Sequence, residues 1–226
     1  TRLLRKPLVV FLPDVAPGWA VKAERRFATR MTTSTDLALQ HLPPGKTSVT
    51  GYPVRSAFFD TDRNEARKVL GAGDGDPILL IAGASQGAQA LNRAVFEHLP
   101  ELTKRAHVVH ITGAAGAAEA EAAKRELGDL ESRYQPFSFR GDLPALMVAA
   151  DLAVLRAGAS ILGEVPAAGL AAILLPGEYA GGHQRGNALW LVEAGAAELL
   201  TEAEIGALAP SALSILDDPE RLQRMR

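Results

Sequence analysis

An α/β fold built on a doubly wound parallel sheet is what this 226-residue sequence predicts, and three observations carry the prediction. Short β-type runs alternate with stretches of helical spacing almost from end to end, the pattern of a parallel sheet covered on both faces. Hydrophobic residues make up 47% of the chain and charged residues 22%, which fits a globular protein and excludes a disordered or coiled-coil chain. Aromatics are only 5% while alanine is abundant. The core must therefore be assembled from Ala, Val, Leu and Ile, which favours close helix-on-sheet packing.

The first strand is expected at residues 8–12, an unbroken apolar run, LVVFL. Two short Thr- and Ser-containing runs follow at 30–34 and 47–50. Residues 78–82 (ILLIA) and 107–112 (HVVHIT) read as strands with a helix between them, marked by the stripe Leu91, Val95, Leu99. Further strands are expected at 137–139, 152–155, 172–175 and 197–200. Between the last two, Ala188, Leu191, Val192 and Gly195 recur at i, i+3, i+4, i+7, which turns Glu193 to solvent. Residues 1–50 are too few for a core of their own, whereas 78–200 hold six strands with intervening helices. With a boundary near Pro53, the chain reads as the residual end of one domain (1–50) followed by most of a second (51–226). Thr1 in place of Met suggests a processed chain or a cut fragment.

A net charge of −2 argues against a broad nucleic-acid footprint, and the absence of Cys excludes disulfides and thiolate metal sites. No apolar run approaches the roughly 20 residues of a membrane span, and no signal peptide is expected at the start. A cytoplasmic setting follows as an expectation. Lys22, Arg25, Arg26 and Arg30 cluster near Trp19 and Phe27. The segment is short with a small apolar side, so a solvated face is favoured over a membrane-surface helix.

Three strand-to-helix turns carry the chemistry. Gly83-Ala84-Ser85-Gln86-Gly87-Ala88 follows the strand at 78–82. Its glycines allow a tight turn, and a helix N-terminus offers N–H donors and a positive dipole end to an anion, so it reads as a phosphate cradle. It lacks the Lys of a P-loop and the three-glycine spacing of a dinucleotide site; a plain turn capped by Ser is the alternative. Arg156-Ala157-Gly158-Ala159-Ser160 is a second such turn, with Glu164 one turn into the next helix. Ligands of open α/β sheets sit beyond the carboxyl ends of the strands, so both turns can face one crevice. A carboxylate there suits a neutral cis-diol, although a solvated helix-face charge is the plainer reading of Glu164. Pro166 requires that helix to start short or irregular. The third segment, Gly181 to Ala188, brings His183 and Gln184, side chains that hydrogen-bond sugar hydroxyls well. No histidine shows metal-ligand spacing, so no metal is expected. Arg55, after the turn Gly51-Tyr52-Pro53, offers a planar fork for phosphate or a base edge; a surface Arg at a hinge is equally open.

Taken together, the Gly51 to Arg55 segment, the Gly83 to Ala88 turn, the Arg156 to Glu164 stretch with Ala167-Ala168-Gly169, and His183-Gln184 with Asn187-Ala188 resemble the MurG family. These are bacterial UDP-N-acetylglucosamine transferases of peptidoglycan synthesis, and the order and spacing are matched over roughly residues 7–226. The resemblance implies a two-Rossmann (GT-B) inverting glycosyltransferase without a cofactor, of which this chain holds mostly the C-terminal, donor-binding domain. It implies that Gly83, Ser85, Gln86 and Gly87, together with Ala159 and Ser160, meet the diphosphate of a UDP-sugar. Glu164 would hold the ribose diol, and the backbone of Arg140 would pair with uracil. Arg55 would contact the nucleotide, and His183 and Gln184 would face the sugar. Asn187 would serve the motif as a cap or brace.

The acceptor implied is lipid-linked, with any peripheral contact to the inner face of the cell membrane made through the acceptor domain, and the general base would lie there too. Departures from the family pattern are Ala84 for a second Gly, Ser160-Ile161 for Leu-Thr, Gly181-Gly182 for an acidic residue, Asp14 for Asn and Tyr52 for Asn. Other readings are a transferase acting on another lipid, such as a diacylglycerol, a non-catalytic UDP-sugar-binding half, and a UDP-sugar epimerase of similar shape.

Overall fold

The computed structural model describes residues 6–73, 75–83, 88–177 and 182–226. Ser85, Gln86 and Gly87 of the first turn, and Gly181 of the third, lie outside the described residues. The chain opens with β1 (Val9–Leu12), α1 (Trp19–Glu24), β2 (Arg30–Thr33) and β3 (Thr47–Val49). These strands form a parallel sheet in the order β1-β2-β3. Its core is small, with Val10, Leu12, Ala28, Met31, Ala38 and Leu42. The helix α1 buries none of its residues and Trp19 stands exposed, so the Lys22, Arg25 and Arg26 cluster lies on a solvated face. No helix among the described residues is long and apolar enough to cross a membrane.

Two short helices, α2 (Ala57–Asp60) and α3 (Arg63–Val69), lead into the larger unit. It comprises β4 (Ile78–Ala82), α4 (Ala88–Glu97), α5 (Leu99–Arg105), β5 (His107–Ile111), α6 (Ala117–Glu126), β6 (Tyr134–Phe137) and α7 (Leu143–Ala149). It continues through β7 (Leu152–Arg156), α8 (Ile161–Ala168), β8 (Ala171–Leu175), α9 (His183–Glu193), β9 (Ala197–Leu199), α10 (Leu208–Leu216) and α11 (Pro219–Met225). All six strands are parallel, in the order β6-β5-β4-β7-β8-β9. Numbered from β4 this is 3-2-1-4-5-6, the Rossmann order, with its switch point between β4 and β7.

Side-chain alternation divides the core into two layers. Leu79 and Ile81 of β4, Leu152 and Val154 of β7, and Ile173 of β8 face α4, α5 and α10. Ile78 and Leu80, Ala153 and Leu155, and Leu174 face α7, α8 and α9. At the amino edge, Asp151 ties α3 to the sheet. Its carboxylate takes Arg63 Nη2 at 2.6 Å, Arg67 Nη1 at 2.8 Å and the Ile78 N–H at 2.8 Å.

Three elements differ from the sequence expectation. The sixth strand lies at Tyr134–Phe137 rather than 137–139. The strand includes Pro136, and β6 is an edge strand, where a residue without an N–H is tolerated. The stripe through Leu99 is split between α4 and α5 at His98. Gly195 is not part of the α9 stripe but follows the helix at φ 76°, a left-handed position that ends it. Around Pro166, α8 has eight residues and opens through i to i−3 bonds, from Ile161 N–H to Gly158 O (3.2 Å), Leu162 to Ala159 (3.2 Å) and Gly163 to Ser160 (3.0 Å). That irregular start is what the proline demanded.

Candidate functional site

At the carboxyl ends of β4 and β7 lies a cavity of about 200 Å³. Ala82 and Gly83 form one wall, Leu155, Arg156, Gly158 and Ser160 another, with Ile161 and Glu164 of α8, Gln184 of α9, and Leu143 and Met147 of α7 closing it. The switch point creates this crevice because helices leave the two adjacent strands toward opposite faces of the sheet. Gly83, Ser160, Glu164 and Gln184, up to about a hundred residues apart in the chain, thus meet in one space. Ala159 sits between Gly158 and Ser160 in the turn after β7, and no backbone hydrogen bond among the described residues uses the N–H of Ala159 or Ser160. Those donors, with the amino end of α8, favour an anion.

The other expected residues arrange themselves around this space. Arg55 donates from Nη1 to the Gly141 carbonyl (3.3 Å), and its Nη2 stands 4.0 Å from Glu164 Oε1, placing a half-exposed cation beside the carboxylate. The Arg140 guanidinium stacks 4.5 Å over the Phe137 ring and pairs with Asp142. The hydrogen bond between them raises the Arg140 pKa and lowers that of Asp142. His183 opens α9 outside the cavity wall, its Nε2 3.8 Å from where a side chain on Gly18 would begin. Gln184 is partly committed, because its Oε1 accepts the Gly177 N–H at 2.8 Å. Only its amide N–H₂ remains to face a ligand.

Two further residues hold the site together. Arg156, at the end of β7, lines the cavity and holds Glu202 Oε1 at 2.9 Å, a partner 46 residues away. Asn187 is fully buried. Its Oδ1 accepts the Val15 N–H (3.0 Å), and its Nδ2 reaches Asp14 Oδ1 (2.9 Å) and the Ala157 carbonyl (3.2 Å). It therefore braces the turn after β7 against the loop after β1. The sequence signal for this role was the place of Asn187 in the His183-Gln184 and Asn187-Ala188 motif of the family resemblance, which implied a cap or brace.

A Rossmann-ordered sheet whose switch-point crevice brings together Gly83, Gly158, backbone donors of the turn after β7 and a carboxylate has the architecture of the GT-B glycosyltransferases. The chain is a member of glycosyltransferase family 28: the profile of the Glycosyltransferase family 28 C-terminal domain matches residues 78–226. Over 99% of its length the chain is 37% identical to a UDP-N-acetylglucosamine–N-acetylmuramyl-(pentapeptide) pyrophosphoryl-undecaprenol N-acetylglucosamine transferase of Roseiflexus sp. (strain RS-1), covering 60% of that protein. The crystal structure of Acinetobacter baumannii MurG superposes with a TM-score of 0.75 at 26% identity, over 99% of this chain and 61% of that one. A putative UDP-N-acetylglucosamine 2-epimerase from Listeria monocytogenes shares the fold, with a TM-score of 0.72 at 17% identity over 100% of this chain and 63% of that one. The chain spans about 60% of the length of the curated relatives it matches.

Proposed function

We propose that residues 51–226 are the donor-binding domain of an inverting UDP-N-acetylglucosamine transferase, and that residues 1–50 belong to the acceptor-binding domain. The observation that carries this is the cavity between β4 and β7, where Gly83, Ser160 and Glu164 come together. The diphosphate lies against the turn before α4, the N–H groups of Ala159 and Ser160, and the amino end of α8. Glu164 accepts from the ribose diol, and Arg55, 4.0 Å away, stays close enough to reach the nucleotide. Uracil sits at the Phe139-Arg140 segment, and the Gln184 amide N–H₂, with His183, faces the sugar.

In the reaction, an acceptor hydroxyl attacks the anomeric carbon, the bond to the diphosphate oxygen breaks, and UDP leaves with the electron pair. Negative charge grows on the departing diphosphate, and backbone donors already aimed there stabilise it without reorganising. Each such donor is worth about 3 kcal/mol of barrier. No general base is assigned among these residues. The acceptor, by the relatives' names, is lipid-linked, so the protein works in the cytoplasm at the inner membrane face, with contact to lipid made by the acceptor domain.

Thermal unfolding with UDP, UDP-N-acetylglucosamine, UDP-glucose and NAD tests the donor assignment. A uridine nucleotide at a hundred times its dissociation constant adds about 2.7 kcal/mol, whereas NAD adds nothing. Glu164→Ala should weaken UDP about tenfold or more and leave pyrophosphate unchanged, because pyrophosphate has no ribose. Equal loss for both ligands removes the ribose role.

A further inference from the structure

On the α4 side of the sheet, three polar side chains are linked in a chain between α4, β5 and β6. The His110 ring of β5 is fully buried, with Nε2 3.0 Å from Asn92 Oδ1 and Nδ1 3.0 Å from the Tyr134 hydroxyl. Asn92, on the second turn of α4, donates from Nδ2 to the Thr112 carbonyl at 2.9 Å. The polarity of this chain has one solution. A carbonyl only accepts, so the Asn92 nitrogen faces Thr112 and its oxygen faces His110. His110 then carries its proton on Nε2, and its bare Nδ1 takes the proton of the Tyr134 hydroxyl.

Around this chain the space is shut. A Cβ on Gly116 would lie 2.4 Å from Asn92 Nδ2 and 3.1 Å from Thr112 Cβ, so the segment after β5 closes directly over the amide. Leu91 and Val95 also hold α4 to the sheet, but apolar contact resists separation better than sliding or rotation. Hydrogen bonds are directional, and a shift of α4 by one residue would break both bonds of Asn92.

We infer that Asn92, clamped by His110 and Thr112, is a positioning residue that sets the rotation and height of α4 so that its amino end meets the diphosphate of the donor. This rests on the donor-site reading above, which it deepens by naming what aims the helix. Neither Asn92 nor His110 lines the cavity.

The test compares UDP with uridine, which share base and ribose and differ by the diphosphate. Both are titrated by nuclear magnetic resonance into the wild-type protein, Asn92→Ala and Tyr134→Phe, with folding checked by circular dichroism. Asn92→Ala is expected to weaken UDP about tenfold and to leave uridine within about twofold. Tyr134→Phe, which removes one hydroxyl at the far end of the chain, should shift the ratio in the same direction by about threefold, and it decides the matter if Asn92→Ala does not fold. A purely structural role would weaken both ligands by the same factor or neither, and either result in a folded variant overturns the inference. Failure of the donor-site reading is seen separately, since the wild-type protein would then bind no uridine nucleotide, and the inference would fall with it.

Discussion

The His110 ring is fully buried between β5 and α4, and that burial shapes how the protein responds to acid. Burial lowers its pKa from 6.5 to about 3, and burial also lowers that of His107 at the amino end of β5. Between these values the unfolded chain holds a proton on the ring that the folded protein refuses, so stability rises with pH. The contribution is complete above pH 6.5 and drains away as pH falls toward 3. From neutral pH to about 4.5 the His110 share of the loss is about 2–3 kcal/mol. Denaturant unfolding should show this slope, and His110→Gln, less stable at neutral pH, should show a flatter one; an unchanged slope would refute the assignment. At the same scale, Gly83 and Ser160 stood out in the sequence because each lies in a turn of recognisable composition after a strand, whereas Glu164, one turn into α8, was singled out through the family resemblance. The commitment of Gln184 Oε1 to Gly177 was not, since an amide looks the same whether its partner is a ligand or its own loop.

Among the elements, α8 and the segment before α2 approach each other closely at Gly163. A Cβ on Gly163 would come within 2.8 Å of Tyr52 Cβ, 2.9 Å of Val54 Cγ1 and 3.1 Å of the Tyr52 carbonyl. Glycine is required here for space, and because of it the Tyr52 to Arg55 segment lies flat against α8 with Arg55 beside Glu164. Gly163→Ala should push the two apart. The expected cost is about 1–3 kcal/mol in denaturant unfolding, with weaker UDP binding as the Arg55 to Glu164 spacing opens. A variant as stable as the wild type would show that the segment yields freely. Period and punctuation made most of the strands readable, because β4 and β8 are apolar throughout and β7 is apolar up to Arg156. They misplaced β6, where the tolerance for Pro136 depends on being at the sheet edge, which is a property of the sheet and not of the segment.

At the level of the whole molecule, Asn187 joins the two sheets. Removing its side chain strands the Val15 N–H, the Asp14 carboxylate and the Ala157 carbonyl together, at about 1–3 kcal/mol for each group left dry. Asn187→Ala should therefore loosen the loop after β1 from the larger unit. Hydrogen exchange is expected to quicken at residues 13–16 while β4 and β7 keep their protection, and uniform protection throughout would count against the brace.

Class, order of elements and the three turns follow from periodicity and turn chemistry, which act over a few residues and are written wherever the chain is read. The partnerships that make the site are of another kind. Arg55 finds the Gly141 carbonyl 86 residues on, and Asn187 finds Val15 across 172 residues. A polar group takes whatever complementary atom the packed chain brings within hydrogen-bonding reach, and that choice exists only once both sheets are formed.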